Sequence, residues 1–148
     1  MSSTLTQFSV LMVEDNKADI VQFQDMMIGA VFDGEYPQVT VGICHTLNEA
    51  KIAIRKGRFD LILLDVNLPD AEHLEGLKFL IEEFPDMPIV LHTGVCSAKL
   101  ASEAIAMGAQ DCIPKGLLDK DNFIRLLVHA KMRQDGLRRL HSLSNRSI

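Results

Sequence analysis

Apolar residues in this chain come in short dense runs, separated by stretches in which they recur every three or four positions. The runs are FSVLMV at 8–13, VTVGIC at 39–44, LILLD at 61–65, PIVLHT at 88–93 and DCIPK at 111–115. An unbroken apolar run of this length, bounded by turn residues, predicts a strand buried on both faces, as in a parallel sheet. Between the runs the spacing is helical. Ile20, Phe23, Met26 and Met27 predict a first helix over 17–29, with Gly29 and the Asp33-Gly34 pair marking its exit. Thr46 predicts an N-cap, with Glu49 completing a capping box, for a helix that carries Leu47, Ala50 and Ile54 and ends near Gly57. Leu77, Leu80, Ile81 and Phe84 line a third helix closed by Pro85 and Pro88. Leu100, Ala101, Ala104 and Ile105 line a fourth, from about Ser97 to Gly108. A last helix starts at Asp119 or Asp121, buries Phe123, Leu126, Leu127 and Ala130, and runs to Gly136 or beyond; residues 141–148 read as a frayed tail.

Five strands alternating with five helices over short connections predict right-handed βα units: an α/β fold whose parallel sheet is covered on both faces. Pro114 lacks an N–H, so the fifth strand belongs at an edge, with Pro114 and Cys112 facing outward and Lys115 pairing with strand four.

Composition narrows the function classes. At 148 residues the chain is one ordinary domain. No apolar run approaches the length that spans a bilayer, and 1–10 lacks the form of a signal peptide, so a cytoplasmic protein without a membrane partner is expected. Cys44, Cys96 and Cys112 show no paired spacing and read as free thiols. The net charge of −5 divides into −9 over residues 1–118 and +4 over 119–148; an acidic body argues against direct nucleic-acid binding. There is no GxGxxG or GxxxxGK[ST], which disfavours nucleotide binding, and the five histidines form no ligand spacing.

The chemistry gathers at strand ends. Glu14-Asp15 follow strand one, Asp65 closes strand three, Thr93 closes strand four and Lys115 closes strand five. A parallel sheet brings these ends to one edge, where ligands bind in open α/β folds. Clustered carboxylates repel, and a hard divalent cation such as Mg²⁺ relieves them. With a lysine and a hydroxyl nearby, the set would suit an incoming phosphoryl group, with Asp65 as nucleophile. Each residue alone has a blander reading: Glu14 a surface acid, Asp15 a helix cap, Asp65 a turn cap, Thr93 a cap, Lys115 a solvated cation. Their joint placement at strand ends weighs against all of these at once.

Taken together, VEDN, DVNLPD, the HTG after strand four and Lys115 after strand five resemble the response-regulator receiver domain (CheY-like), over about 9–133. The resemblance implies a doubly wound, flavodoxin-like (βα)5 fold of strand order 2-1-3-4-5. Residues 8–133 would be the receiver domain, 1–7 an N-terminal tail and 134–148 a C-terminal helix extension and tail. It implies that Asp65 takes a phosphoryl group from a sensor histidine kinase or phosphotransfer protein, so that the chain is a signalling domain and not an enzyme. Mg²⁺ would be held by Glu14, Asp15, Asp65 and the carbonyl of Asn67, with Asp15 a direct ligand, and Thr93 and Lys115 would bind phosphoryl oxygens. Phosphorylation would switch a surface toward a downstream protein or a second copy of the chain. The alternative is a pseudo-receiver, an interaction or dimerisation module independent of phosphate. An aspartyl-phosphate phosphatase is disfavoured, since Asn67 stands where its acid/base Asp would be. The chain departs from the family at three points. Five residues, 71–75, stand where two are usual, giving an enlarged and mobile loop; Gly116 replaces the proline after the lysine; and Cys112 replaces an aromatic.

Overall fold

The computed structural model describes residues 7–28 and 37–146; the helix exit expected at Gly29 and Asp33-Gly34 lies outside them. The elements follow in strict alternation: β1 (Gln7–Val13), α1 (Lys17–Ile28), β2 (Gln38–Cys44), α2 (Leu47–Lys56), β3 (Leu61–Leu64), α3 (Glu75–Glu83), β4 (Ile89–Thr93), α4 (Ala98–Met107), β5 (Asp111–Pro114) and α5 (Lys120–Arg146). The strands form one sheet in the order β2-β1-β3-β4-β5, with every neighbouring pair parallel. This is the flavodoxin-like fold, and β5 lies at an edge as Pro114 requires.

Side-chain alternation explains the unbroken apolar runs. Ile62 and Leu64 of β3 point into a core shared with Leu11 and Val13 of β1, Ala50 and Ile54 of α2, Leu77 and Leu80 of α3 and Ala104 of α4. Leu61 and Leu63 point the other way, against Phe8, Val10 and Met12, Phe23 of α1 and Phe123 and Leu127 of α5. A strand between two helical layers has no face for water, so every position must be apolar.

Local capping mostly follows the sequence. Thr46 Oγ1 accepts the Glu49 amide at 3.0 Å, but Glu49 Oε2 reaches back to the His45 amide, one residue before the expected cap. Ser97 caps α4 through the Leu100 amide, and Gly108 ends it at φ 121°, a conformation that favours glycine. One expectation fails at the C-terminus. Residues read as a frayed tail from 141 onward are helical as far as Arg146, because α5 continues unbroken through Gly136.

Candidate functional site

The register of the sheet builds the site. Val13 pairs with Leu64, and the ladder carries one step further: the Asp65 amide donates to Val13 O at 3.0 Å and the Glu14 amide to Cys44 O at 2.9 Å. Glu14 and Asp65 therefore emerge side by side at the carboxyl edge. Both are buried, at 1% and 4% exposure. From the edge strand, the Lys115 amide donates to Thr93 O at 2.7 Å, as expected from Pro114's missing donor. The Cys112 amide turns instead to Asp111 Oδ1 at 2.7 Å.

Lys115 Nζ lies 2.7 Å from Glu14 Oε1, 2.8 Å from Asp19 Oδ2 and 3.4 Å from Asp65 Oδ2. One ammonium thus serves three carboxylates. Burial works against its charge, but the hydrogen bond to Asp19, the close Glu14 carboxylate and the charge of Asp65 outweigh that, and its pKa stands above the usual lysine value. For Glu14 the balance goes the other way. Burial, then the neighbouring Asp65 carboxylate, outweigh Lys115 and push its carboxyl from 4.5 up to about 7. The contact of Glu14 Oε1 with Lys115 is an ion pair without hydrogen-bond alignment, and Asp65 Oδ1 is buried with no hydrogen-bond partner. A buried oxygen left in that condition is costly unless something else approaches it.

The remaining expected residues lie further out. Asp15 and Asn67 are exposed. The capping role allowed for Asp15 belongs to Asn16, whose Oδ1 accepts the Asp19 amide at 3.0 Å. That leaves the Asp15 carboxylate turned to solvent at the site's rim. Thr93 is buried, and its hydroxyl donates to Val95 O at 3.4 Å, toward the loop that follows β4. Among the described residues, no three His, Cys, Asp or Glu side chains form a preformed metal cage. Mg²⁺ asks for less, since it commonly takes one or two carboxylates and completes its shell with water and phosphate oxygens. The orphaned Asp65 oxygen and the crowded acids fit such an ion.

Three contributors were missed from the sequence. Asp19 follows Asp15 by four positions, one helical turn, and that spacing was the available signal. His92, one residue before Thr93, is buried with Nδ1 unpartnered, and its ring packs against Phe123 at 5.3 Å and Phe23 at 6.2 Å. Burial, then the charge of Lys115, lower its pKa to about 4, so it is neutral near pH 7. Asp70 accepts the Leu47 and Asn48 amides at 2.8 and 3.0 Å, tying the β3–α3 loop to the start of α2. No local sequence signal marks that long-range contact.

Comparison with known proteins agrees with this geometry. Residues 10–127 match the family described as the response regulator receiver domain. The chain is 30% identical over 129 residues to the transcriptional regulatory protein CitT of Halalkalibacterium halodurans, covering 86% of this chain and 54% of CitT. It is 39% identical over 77 residues to the regulatory protein LuxO of Vibrio cholerae, covering 52% of this chain and 17% of LuxO. It thus spans about half or less of the length of these relatives. Among solved structures, the beryllofluoride-activated NtrC4 receiver domain dimer is similar at 26% identity and a TM-score of 0.69, covering 85% of this chain and 98% of that one.

Proposed function

Since this chain belongs to the response regulator receiver domain family, a family of two-component signalling domains, we propose that it is a phosphoacceptor whose Asp65 takes a phosphoryl group from a histidine kinase or phosphotransfer protein. The observation that carries this reading is Asp65 itself. It is a buried carboxylate at the carboxyl edge of the sheet, with one oxygen facing Lys115 and the other unpartnered.

In the proposed reaction an Asp65 carboxylate oxygen attacks the phosphorus of a phosphohistidine, the P–N bond breaks, and the imidazole leaves with its electron pair. Asp15, Asp65 and the Asn67 carbonyl would hold Mg²⁺, with Glu14 supporting from the buried side. When bound, the ion supplies positive charge to the phosphoryl oxygens and relieves the repulsion among the acids. Lys115 is anchored by Glu14 and Asp19 close to Asp65, so its ammonium needs only a small movement to reach a phosphoryl oxygen. Thr93 would give up its bond to Val95 O and donate to the phosphoryl group, drawing the β4–α4 loop with it. That displacement would change the α4–β5–α5 surface offered to a downstream protein or a second copy of this chain. Two-component signalling of this kind would operate in the cytoplasm; no helix among the described residues is long and apolar enough to cross a membrane.

The test uses the chain with Mg²⁺ and a small phosphodonor such as acetyl phosphate, read by intact mass. Wild type is expected to gain one phosphoryl group and Asp65→Asn none, while Asp15→Ala should lose Mg²⁺ binding measured by titration calorimetry. No gain by wild type, with the fold intact, would favour the phosphate-independent interaction module instead.

A further inference from the structure

Two of the three cysteines meet in space. Cys96 lies in the β4–α4 loop and Cys112 on β5, sixteen positions apart. The Cys96 thiol donates to the Cys112 carbonyl at 3.5 Å. Both side chains join the same apolar cluster beside Leu91, Leu100 and Ala104. The Cys112 thiol is pushed up to about 12 by burial and then by the neighbouring Cys96 thiol. Cys96 is half-buried and within reach of solvent, whereas Cys112 is buried. Cys44 sits on β2, at the opposite edge of the sheet.

The pair joins two segments of mechanical interest. Thr93 holds the start of the β4–α4 loop through Val95 O, and β5 is the edge strand against which that loop rests. We propose that Cys96 and Cys112 are a redox-sensitive dithiol whose oxidation to a disulfide bolts the β4–α4 loop to β5 and uncouples that face from Asp65. The uncoupling clause rests on the phosphoacceptor reading; formation of the disulfide does not.

The oxidant is a hydroperoxide. The more accessible Cys96, as thiolate, attacks one oxygen of hydrogen peroxide; the O–O bond breaks and hydroxide leaves, taking up a proton to become water. Cys112 then attacks the sulfur of the Cys96 sulfenic acid, the S–O bond breaks, and the departing hydroxide takes the Cys112 proton as a second water. Two thiols lose two electrons and one peroxide is reduced to two waters. The buried, proton-bound state of Cys112 makes it the resolving and not the initiating thiol. A disulfide in a reducing compartment is transient, which suits a sensor and not a structural staple.

The experiment treats the reduced full chain with hydrogen peroxide and maps non-reduced peptides by mass spectrometry. A Cys96–Cys112 link within one chain, with Cys44 still alkylated after denaturation and reversal by dithiothreitol, is expected. In Cys112→Ser, Cys96 should stop at the sulfenic acid and be trapped by dimedone. Unchanged thiols, a Cys96 link between chains, or direct over-oxidation of Cys96 in wild type would overturn the dithiol. Hydrogen exchange then reads coupling. Phosphodonor should change exchange in the β4–α4 loop and α4 by at least about tenfold in the reduced chain and by much less in the oxidised chain. Equal responses in both states would overturn the uncoupling. Failure of both states to take phosphate would overturn the phosphoacceptor reading and the uncoupling with it, while the peptide map decides the disulfide separately.

Discussion

Glu14 and His92 are both buried and titratable, and the site bends them in opposite directions. Glu14's folded pKa of about 7 lies above its ordinary 4.5, so between those values the native state holds a proton that the unfolded chain releases. Its contribution to stability is present below about 4.5 and is lost as pH rises toward 7. His92's folded value of about 4 lies below its ordinary 6.5, so its contribution is present above 6.5 and is lost as pH falls toward 4. Urea unfolding across this range should therefore show Glu14→Gln removing a loss on the alkaline side and His92→Met removing one on the acid side. His92→Met should also stabilise the chain at pH 7 by about 1 kcal/mol, because an unpaired buried nitrogen is replaced by a thioether of similar bulk. Parallel pH profiles for wild type and both variants would contradict this account of the two residues. Asp65, Thr93 and Lys115 were legible because each closes an apolar run. His92 was not, since a lone histidine in such a run carries no ligand spacing.

At the scale of elements, the enlarged β3–α3 connection is better anchored than its composition indicates. Leu74 and Leu68 are both buried, Asp70 holds two amides of α2, and His73 pairs with Glu103 of α4 at 3.4 Å. Burial pushes the Asp70 carboxyl up, but the hydrogen bonds from the Leu47 and Asn48 N–H groups together outweigh it and hold the carboxyl below the usual range. Asp70→Ala should cost on the order of 1 kcal/mol, the usual worth of a helix-capping side chain. It should also speed hydrogen exchange at Leu47 and Asn48 more than at the amides of β1. Unchanged exchange at those two amides would show that the tether is not holding α2. Strands and caps could be read from sequence because they depend on neighbours along the chain. This tether, like the hold of Lys115 on Asp19, joins residues far apart in sequence and appears only once the chain is folded. Gly116 is intermediate. Its replacement of proline is visible in sequence, but only the structure shows φ 75°, which a proline ring cannot adopt.

At the scale of the molecule, the receiver body closes on itself and α5 runs on past it. Gln134 still bonds to Gln110 and to Pro85 O, whereas Leu137, Leu140 and Leu143 beyond it are exposed. A chain ending at Gly136 should therefore keep its melting temperature within a few degrees and still take phosphate; a large drop would make the extension part of the body. Alternation of strand and helix made the fold legible, and with it the convergence of acids and lysine at one edge. Which lysine–acid contacts form, and where the Thr93 hydroxyl turns, depend on side-chain directions that no spacing encodes. The most direct measurement of the central claim is to phosphorylate the chain with acetyl phosphate and Mg²⁺, reduce it with borohydride, and sequence the peptides. An aspartyl phosphate is reduced to homoserine, so homoserine at position 65 and at no other aspartate is the expected result. Homoserine elsewhere, or none in a chain that has gained a phosphoryl group, would contradict the assignment of Asp65.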